Sequence, residues 1–181
     1  MTGSLLLNAF HQSNAALLTY TVGGDPNKET SLEIFREIAR SGADIIECGL
    51  GHGANIGDGG AVQDGTYRAL SNGIKTDDVF DIIKTLRDEF DTNVIIMTYQ
   101  NKIMSYGEDS FLSKCVESKV AGIICVDWPW PLNLNFAAKC KNNNIDFIQL
   151  LCPTTNEGRL KLILNDAHAV SYTHLTLPTK A

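Results

Sequence analysis

Apolar residues along this chain fall into short continuous runs that alternate with stretches of helical period. The runs are Leu17 to Val22, Asp44 to Gly49, Val94 to Tyr99, Gly122 to Asp127 and Phe147 to Cys152. Each is about the length of a strand, and most carry no polar alternation. That is the pattern of strands buried on both faces. Between them lie helical segments. Leu32, Phe35, Ile38 and Ala39 recur at helical spacing between Glu29 and Ser41, and Gly42 stops that helix. A helix is predicted from about Ala61 to Leu70, ending at Asn72-Gly73. Another, capped by Thr76, puts Val79, Ile82, Ile83, Leu86 and Phe90 on one face. Further helices are predicted around Phe111 to Val116, over Asn133 to Lys141 and from about Glu157 to Leu164, and a short leading one over Leu5 to Gln12. Gln100 to Gly107 reads as a loop. Strand and helix in alternation predict an α/β fold on a parallel sheet.

The second run carries the chemistry. Glu47 sits near the end of Asp44-Ile-Ile-Glu-Cys-Gly49, and Asp58 follows at the far end of a glycine-rich loop. A strand that presents one acid and a loop that returns another build a site at the carboxyl edge of a sheet. The apolar neighbours Ile45 and Ile46 predict a raised pKa for Glu47. Gly49-Leu50-Gly51-His52-Gly53 invites a dinucleotide-binding reading, but the G-x-G-x-x-G spacing is missing and no helix directly follows. His52 has no second His, Cys or acid at ligand spacing, so no metal site is predicted.

Composition narrows the setting more than the chemistry. With 181 residues, 44% hydrophobic and 20% charged, the chain can bury one core. A net charge of -6 without a basic cluster argues against nucleic acid or an anionic membrane as partner. Five cysteines without C-x-x-C spacing read as reduced thiols, with Cys48, Cys125 and Cys152 in apolar runs. With no basic N-terminal start and no run of membrane-spanning length, the expectation is a cytoplasmic protein.

The final stretch breaks the pattern. Val170-Ser-Tyr-Thr-His-Leu-Thr-Leu-Pro-Thr179 resembles an in-frame translation of a transposon-type sequencing adapter. The alternation of Val170, Tyr172 and His174 is also that of a sixth strand. The expected division is a partial barrel over residues 1–169 and a non-native tail over 170–181. Five βα units are then in hand, whereas a closed eight-stranded barrel takes about 250 residues. Left open, such a barrel would expose Trp128 and Trp130.

Read in order, a set of motifs resembles the tryptophan synthase α subunit family. They are Thr19-Tyr20-Thr21-Val22-Gly23-Gly24-Asp25-Pro26, Gly42-Ala43-Asp44-Ile45-Ile46-Glu47-Cys48-Gly49, Asp58-Gly59, Arg68-Ala69-Leu70-Ser71-Asn72-Gly73, Met97-Thr98-Tyr99-Gln100-Asn101, Tyr106-Gly107, Asp127-Trp128-Pro129 and Pro153-Thr154-Thr155. The resemblance implies a (β/α)8 TIM barrel, incomplete here at about the first five βα units. It implies an indole-3-glycerol-phosphate lyase of tryptophan biosynthesis, which releases indole and glyceraldehyde 3-phosphate by retro-aldol cleavage. It puts the general acid/base on Glu47 and the group that binds the indole N–H on Asp58. Tyr20, Tyr99 and Thr154 would line the substrate site. Asn101, Asp127 and Pro129 would meet the partner, the tryptophan synthase β subunit, in an α2β2 assembly. No cofactor is implied on this chain, because PLP belongs to the β subunit. The chain departs from the family in one loop. Where the family usually has a Pro-Phe-Ser-Asp-Pro-type segment, this chain has Gly51-His52-Gly53-Ala54-Asn55. Extra glycines raise the cost of ordering a loop, so Asp58 is expected to be weakly held. The alternative reading is an inactive truncated fragment, or a non-catalytic half-barrel that binds a partner through its unpaired edges.

Overall fold

A computed structural model describes residues 5–10, 15–167 and 171–172. Six parallel strands form one sheet in chain order, β1 (Leu18–Val22), β2 (Ile45–Gly49), β3 (Asn93–Thr98), β4 (Gly122–Cys125), β5 (Asp146–Leu150) and β6 (Ser171–Tyr172). Each neighbouring pair is parallel, so every connection is a crossover. The helices are α1 (Leu5–Phe10), α2 (Lys28–Arg40), α3 (Gly60–Ser71), α4 (Thr76–Glu89), α5 (Gln100–Tyr106), α6 (Glu108–Glu117), α7 (Leu134–Asn142) and α8 (Glu157–Asp166).

Alternation along the strands sends side chains to two different cores. Ile46, Cys48, Val94, Ile96, Ile123, Cys125 and Phe147 face the helices, where they meet Phe35, Ile83, Leu86, Phe111 and Phe136. Ile45, Ile95, Ile124 and Ile148 face the other way, the inside of the curving sheet. That inner layer is closed by Leu6 and Ala9 of α1. Gly122 makes the fit, since a Cβ there would lie 2.9 Å from Leu6 Cδ1. Glu47 shares the inward parity of Ile45, above that layer.

Two of the quoted motifs meet in space. Arg68 grips Asp25 with both forks, Nε to Oδ1 at 2.9 Å and Nη2 to Oδ2 at 2.7 Å. Asn72 Nδ2 donates to the Pro26 carbonyl at 2.6 Å, and Ser31 Oγ accepts from Gly24 N–H at 2.9 Å. The β1–α2 turn is thereby tied to the end of α3.

Several expectations are corrected. The segment read as a loop, Gln100 to Gly107, contains α5. Thr76 is the first residue of α4 and Lys75 the cap, whose N–H donates to Asp78 Oδ2 at 2.9 Å. β5 ends at Leu150, so Cys152 lies beyond it and is exposed, while Cys48, Cys115, Cys125 and Cys140 are buried free thiols. Trp128 is not exposed. It is buried, stacks on Phe136 at 5.0 Å and donates from Nε1 to the Leu132 carbonyl at 3.1 Å. Trp130 is half-buried, with Nε1 on Asp166 Oδ2 at 2.8 Å and the Arg159 guanidinium 5.6 Å from its ring. These contacts within the β4–α7 and α8 region cover the tryptophans without strands beyond β6. Of the stretch expected to lie outside the barrel, Ser171 and Tyr172 pair with Gln149 and Leu150. Residues 170 and 173–181, like Gln12 of the leading helix, fall outside the described residues.

Candidate active site

The carboxyl ends of β1, β2 and β3 bring four predicted residues together. β2 lies between β1 and β3, with Tyr20 and Ile95 in register on either side of Glu47. All five residues of β2 are buried. Glu47 is 7% exposed, and its carboxyl makes no hydrogen bond within the described residues. Burial, and behind it the negative charge of Asp58, push its carboxyl from the usual 4.5 to about 7. This is the direction expected from its apolar neighbours. Tyr20 is held far above its usual range, first by burial and then by the charge of Asp58. Its hydroxyl lies over the end of β2, where a Cβ on Gly49 would collide with it. Glycine at this position is what lets the phenol reach across beside Glu47.

Tyr99 follows β3 directly. It is 4% exposed, and burial followed by the Asp58 charge pushes its phenol up to about 12. Its Oη accepts the Gly57 N–H at 3.1 Å, one residue before Asp58. The His52 ring packs 5.6 Å from the Tyr99 ring. On the far side of the loop, Gln63 Nε2 donates to the Asp58 carbonyl at 2.9 Å and to the Asn55 carbonyl at 3.4 Å. The loop also folds on itself, through Asp58 N–H to the Asn55 carbonyl at 3.1 Å. The weak hold expected of Asp58 from the glycines is therefore not what the structure has. Contacts from α3 and the end of β3 substitute for the loop's own stiffness. Nothing in the sequence marks Gln63 for this contact, because its partners are backbone carbonyls.

The other predicted residues follow β3, β4 and β5 but are not brought onto Glu47. Thr154 is an exposed residue of the β5–α8 turn, where its neighbour Thr155 accepts the Cys152 N–H through Oγ1 at 3.2 Å. Asn101 is exposed on α5, and Asp127 and Pro129 are exposed after β4. Asp127 has a structural task that spacing did not reveal. Its Oδ1 accepts the Gln100 N–H at 2.6 Å and so caps α5 from the next strand. Among the described residues no cluster of three or more His, Cys, Asp or Glu is placed to hold a metal, and no helix is long and apolar enough to cross a membrane.

A parallel α/β sheet with α1 under its inner face, and with two carboxylates and two tyrosines at its carboxyl edge, is a segment of a barrel of the TIM class. The family model described as "Tryptophan synthase alpha chain" matches residues 6–176. The chain belongs to the tryptophan synthase alpha chain family. It is 48% identical over 162 residues to the tryptophan synthase alpha chain of Pelagibacter ubique, covering 89% of this chain and 61% of that one. With the alpha chain of Petrotoga mobilis it shares 37% over 152 residues, covering 84% of this chain and 59% of that one. A solved structure from Aquifex aeolicus superposes with a TM-score of 0.89 at 32% identity, covering 97% of this chain and 71% of that one. The tryptophan synthase complex of Pyrococcus furiosus gives 0.83 at 33%, covering 87% and 65%. The chain thus spans 61% and 59% of the length of the two curated relatives named here.

Proposed function

We propose that the protein to which this chain belongs cleaves indole-3-glycerol phosphate to indole and glyceraldehyde 3-phosphate, with Glu47 and Asp58 as its catalytic carboxylates. The observation that carries this is the unequal pair. One carboxyl is buried and titrates near neutrality, and the other stands beside it on a hydrogen-bonded loop. Retro-aldol cleavage needs both kinds. In its acid form Glu47 protonates indole C3, and the positive charge that develops at the ring N–H is met by the Asp58 carboxylate. Glu47, now ionised, takes the proton of the glycerol hydroxyl next to the breaking bond. The C–C bond opens, its electrons restore the indole ring, and the hydroxyl carbon becomes the aldehyde. The same carboxyl gives one proton and receives one, which a pKa of about 7 permits in both directions at neutral pH. Tyr20 and Tyr99 would flank the ring, and Thr154 would line the edge further round. The reaction needs no cofactor on this chain. PLP would belong to the partner β subunit, met through Asn101, Asp127 and Pro129. Exposed apolar groups near that edge, Ile56 and Leu132 on loops and Met104 on α5, favour such a docking face. Buried free thiols suit a cytoplasmic setting.

A second reading applies to the 181 residues taken alone. Barrels of this class hold phosphate on the loops after strands seven and eight, and the sheet described here has six strands with β1 and β6 as edges. The chain alone is then an inactive fragment or a partner-binding half-barrel. The test is indole release from indole-3-glycerol phosphate by two proteins. One is this chain, and the other is this chain continued by the C-terminal remainder of the Pelagibacter ubique alpha chain. Release by the continued chain, abolished in Glu47→Gln, with none above background from the short one, is the expected result. A continued, folded barrel that releases no indole would overturn the assignment.

A further inference from the structure

The loop over residues 51–60 contains Gly51, Gly53, Gly57, Gly59 and Gly60 and no proline. A chain of that composition does not hold a carboxylate in one place by its own torsions. Yet it stands ordered against β3 and α3, and the contacts that achieve this are few. We propose that the Tyr99 hydroxyl and the Gln63 side-chain amide are positioning groups, a two-point clamp that fixes the Asp58 carboxylate beside Glu47. The role in turnover rests on the lyase reading above; the clamp itself does not.

The geometry is specific. The Tyr99 hydroxyl accepts from Gly57 N–H at 3.1 Å. It therefore binds the loop backbone one residue before the functional group. Gln63, one turn into α3, spends its amide protons on the carbonyls of Asp58 and Asn55. Asp58 is thus pinned through the preceding N–H from one side and at its own carbonyl from the other. Gly57 is the residue that permits the approach. A Cβ there would lie 3.1 Å from both Tyr99 Oη and Val126 Cγ1. His52, packed on the Tyr99 ring, closes the near end of the loop over the same phenol.

Glu47 faces Asp58 from the loop, and its own charge acts on Tyr20 of β1 and on Cys48 next along β2; Tyr99 acts on Tyr20, and Asp127 on Tyr99. Of these, Asp58 is the one whose charge raises the Glu47 pKa. The titration of Glu47 therefore reports where Asp58 is held. The experiment is carbon-detected NMR of glutamate side chains together with amide hydrogen exchange. It is run on the 181-residue chain as wild type, Tyr99→Phe, Gln63→Ala, Asp58→Asn and the Asp58→Asn/Tyr99→Phe double variant. Tyr106→Phe, which removes a phenol bonded to Asp77 on α4, is the control. Exchange at Gly57 is expected to speed up roughly fivefold in Tyr99→Phe, the worth of one net hydrogen bond, and not in Tyr106→Phe. The Glu47 midpoint is expected to fall in Asp58→Asn, to fall less in Tyr99→Phe and Gln63→Ala, and to fall no further in the double variant than in Asp58→Asn. A phenol that merely packed the fold would leave the Glu47 midpoint where it was. An unchanged midpoint in both Tyr99→Phe and Gln63→Ala, or a shift that simply adds to that of Asp58→Asn, would overturn the clamp. No substrate enters this measurement, so its failure leaves the lyase reading standing. An inactive completed barrel would in turn leave the clamp standing.

Discussion

Two acids serve one site and are held in opposite ways. Glu47 belongs to a strand with hydrogen-bonded neighbours on both sides and five buried residues out of five. Moving it means moving the sheet. Asp58 belongs to a loop whose tip residue, Ile56, is 90% exposed, and the backbone around it is kept by the side chains of Tyr99, at Gly57, and Gln63, at Asp58. Rigid burial gives the first its high pKa, while tethering leaves the second partly exposed. The difference teaches that a fold can assign unlike roles to like groups by choosing which of them it builds into the core.

The largest test of this contrast uses one residue type in both regions. Ile46, beside Glu47 on the opposite face of β2, is fully buried against the helices. Ile46→Ala is expected to cost about 2–5 kcal/mol in urea unfolding. Ile56→Ala, in the loop, is expected to fall within about 0.5 kcal/mol of wild type. Comparable losses at the two sites would erase the distinction between strand and loop.

Glu47→Gln sharpens it next. An ordinary glutamate ionises near 4.5, and Glu47 keeps its proton to about 7. Between those values the folded chain binds a proton that the unfolded chain has released. Folded stability from this group is therefore fully present below 4.5 and is lost as pH rises through 7. The loss by pH 8 is up to about 3 kcal/mol. Glu47→Gln should then be the more stable protein at pH 8, by up to that amount, with the gap closing by pH 4. Denaturant midpoints at the two pH values measure it. A gap that widened toward acid would mean the carboxylate form is the favoured one in the folded chain.

The same contrast explains what could be read in advance. The strands were legible because a strand between two layers is a plain apolar run, and Glu47 was legible because it interrupts one. Helix α5 was not, because it buries one residue, Ile103, and so has no stripe. What starts it is Asp127, twenty-seven positions along the chain. Strand β6 is two residues long and lies in a stretch that resembles a translated adapter, although its alternation also allowed a strand. In the site, the two acids stood out as a strand end and a loop end and the two tyrosines only through the family resemblance, but the hold on Asp58 was not visible. It is made by a phenol at the end of β3 and an amide on α3, and no local pattern encodes a contact between them. Glycine content spoke only to the loop's freedom before it is clamped.

The smallest expected effect tests that last point. Gly57 has no positive φ to preserve, so alanine is allowed by the backbone and would lower the entropy of the unfolded chain, a gain of about 0.4–1 kcal/mol. Against this, its methyl would sit 3.1 Å from Tyr99 Oη and Val126 Cγ1, so one neighbour must yield by a few tenths of an ångström or the loop must lift. Tyr99 is packed in place and Val126 follows β4, so it is the loop that has room to move. Gly57→Ala is therefore expected to leave global stability within about 0.5 kcal/mol of wild type, the two terms nearly offsetting. It should nevertheless lengthen the Gly57–Tyr99 bond and carry Asp58 away from Glu47. The Glu47 midpoint would then fall, as in Asp58→Asn, with no matching change in the unfolding curve. If Gly57→Ala instead destabilised the chain as much as Ile46→Ala, the loop would be part of the core, and its acid would be built in as firmly as the one on the strand.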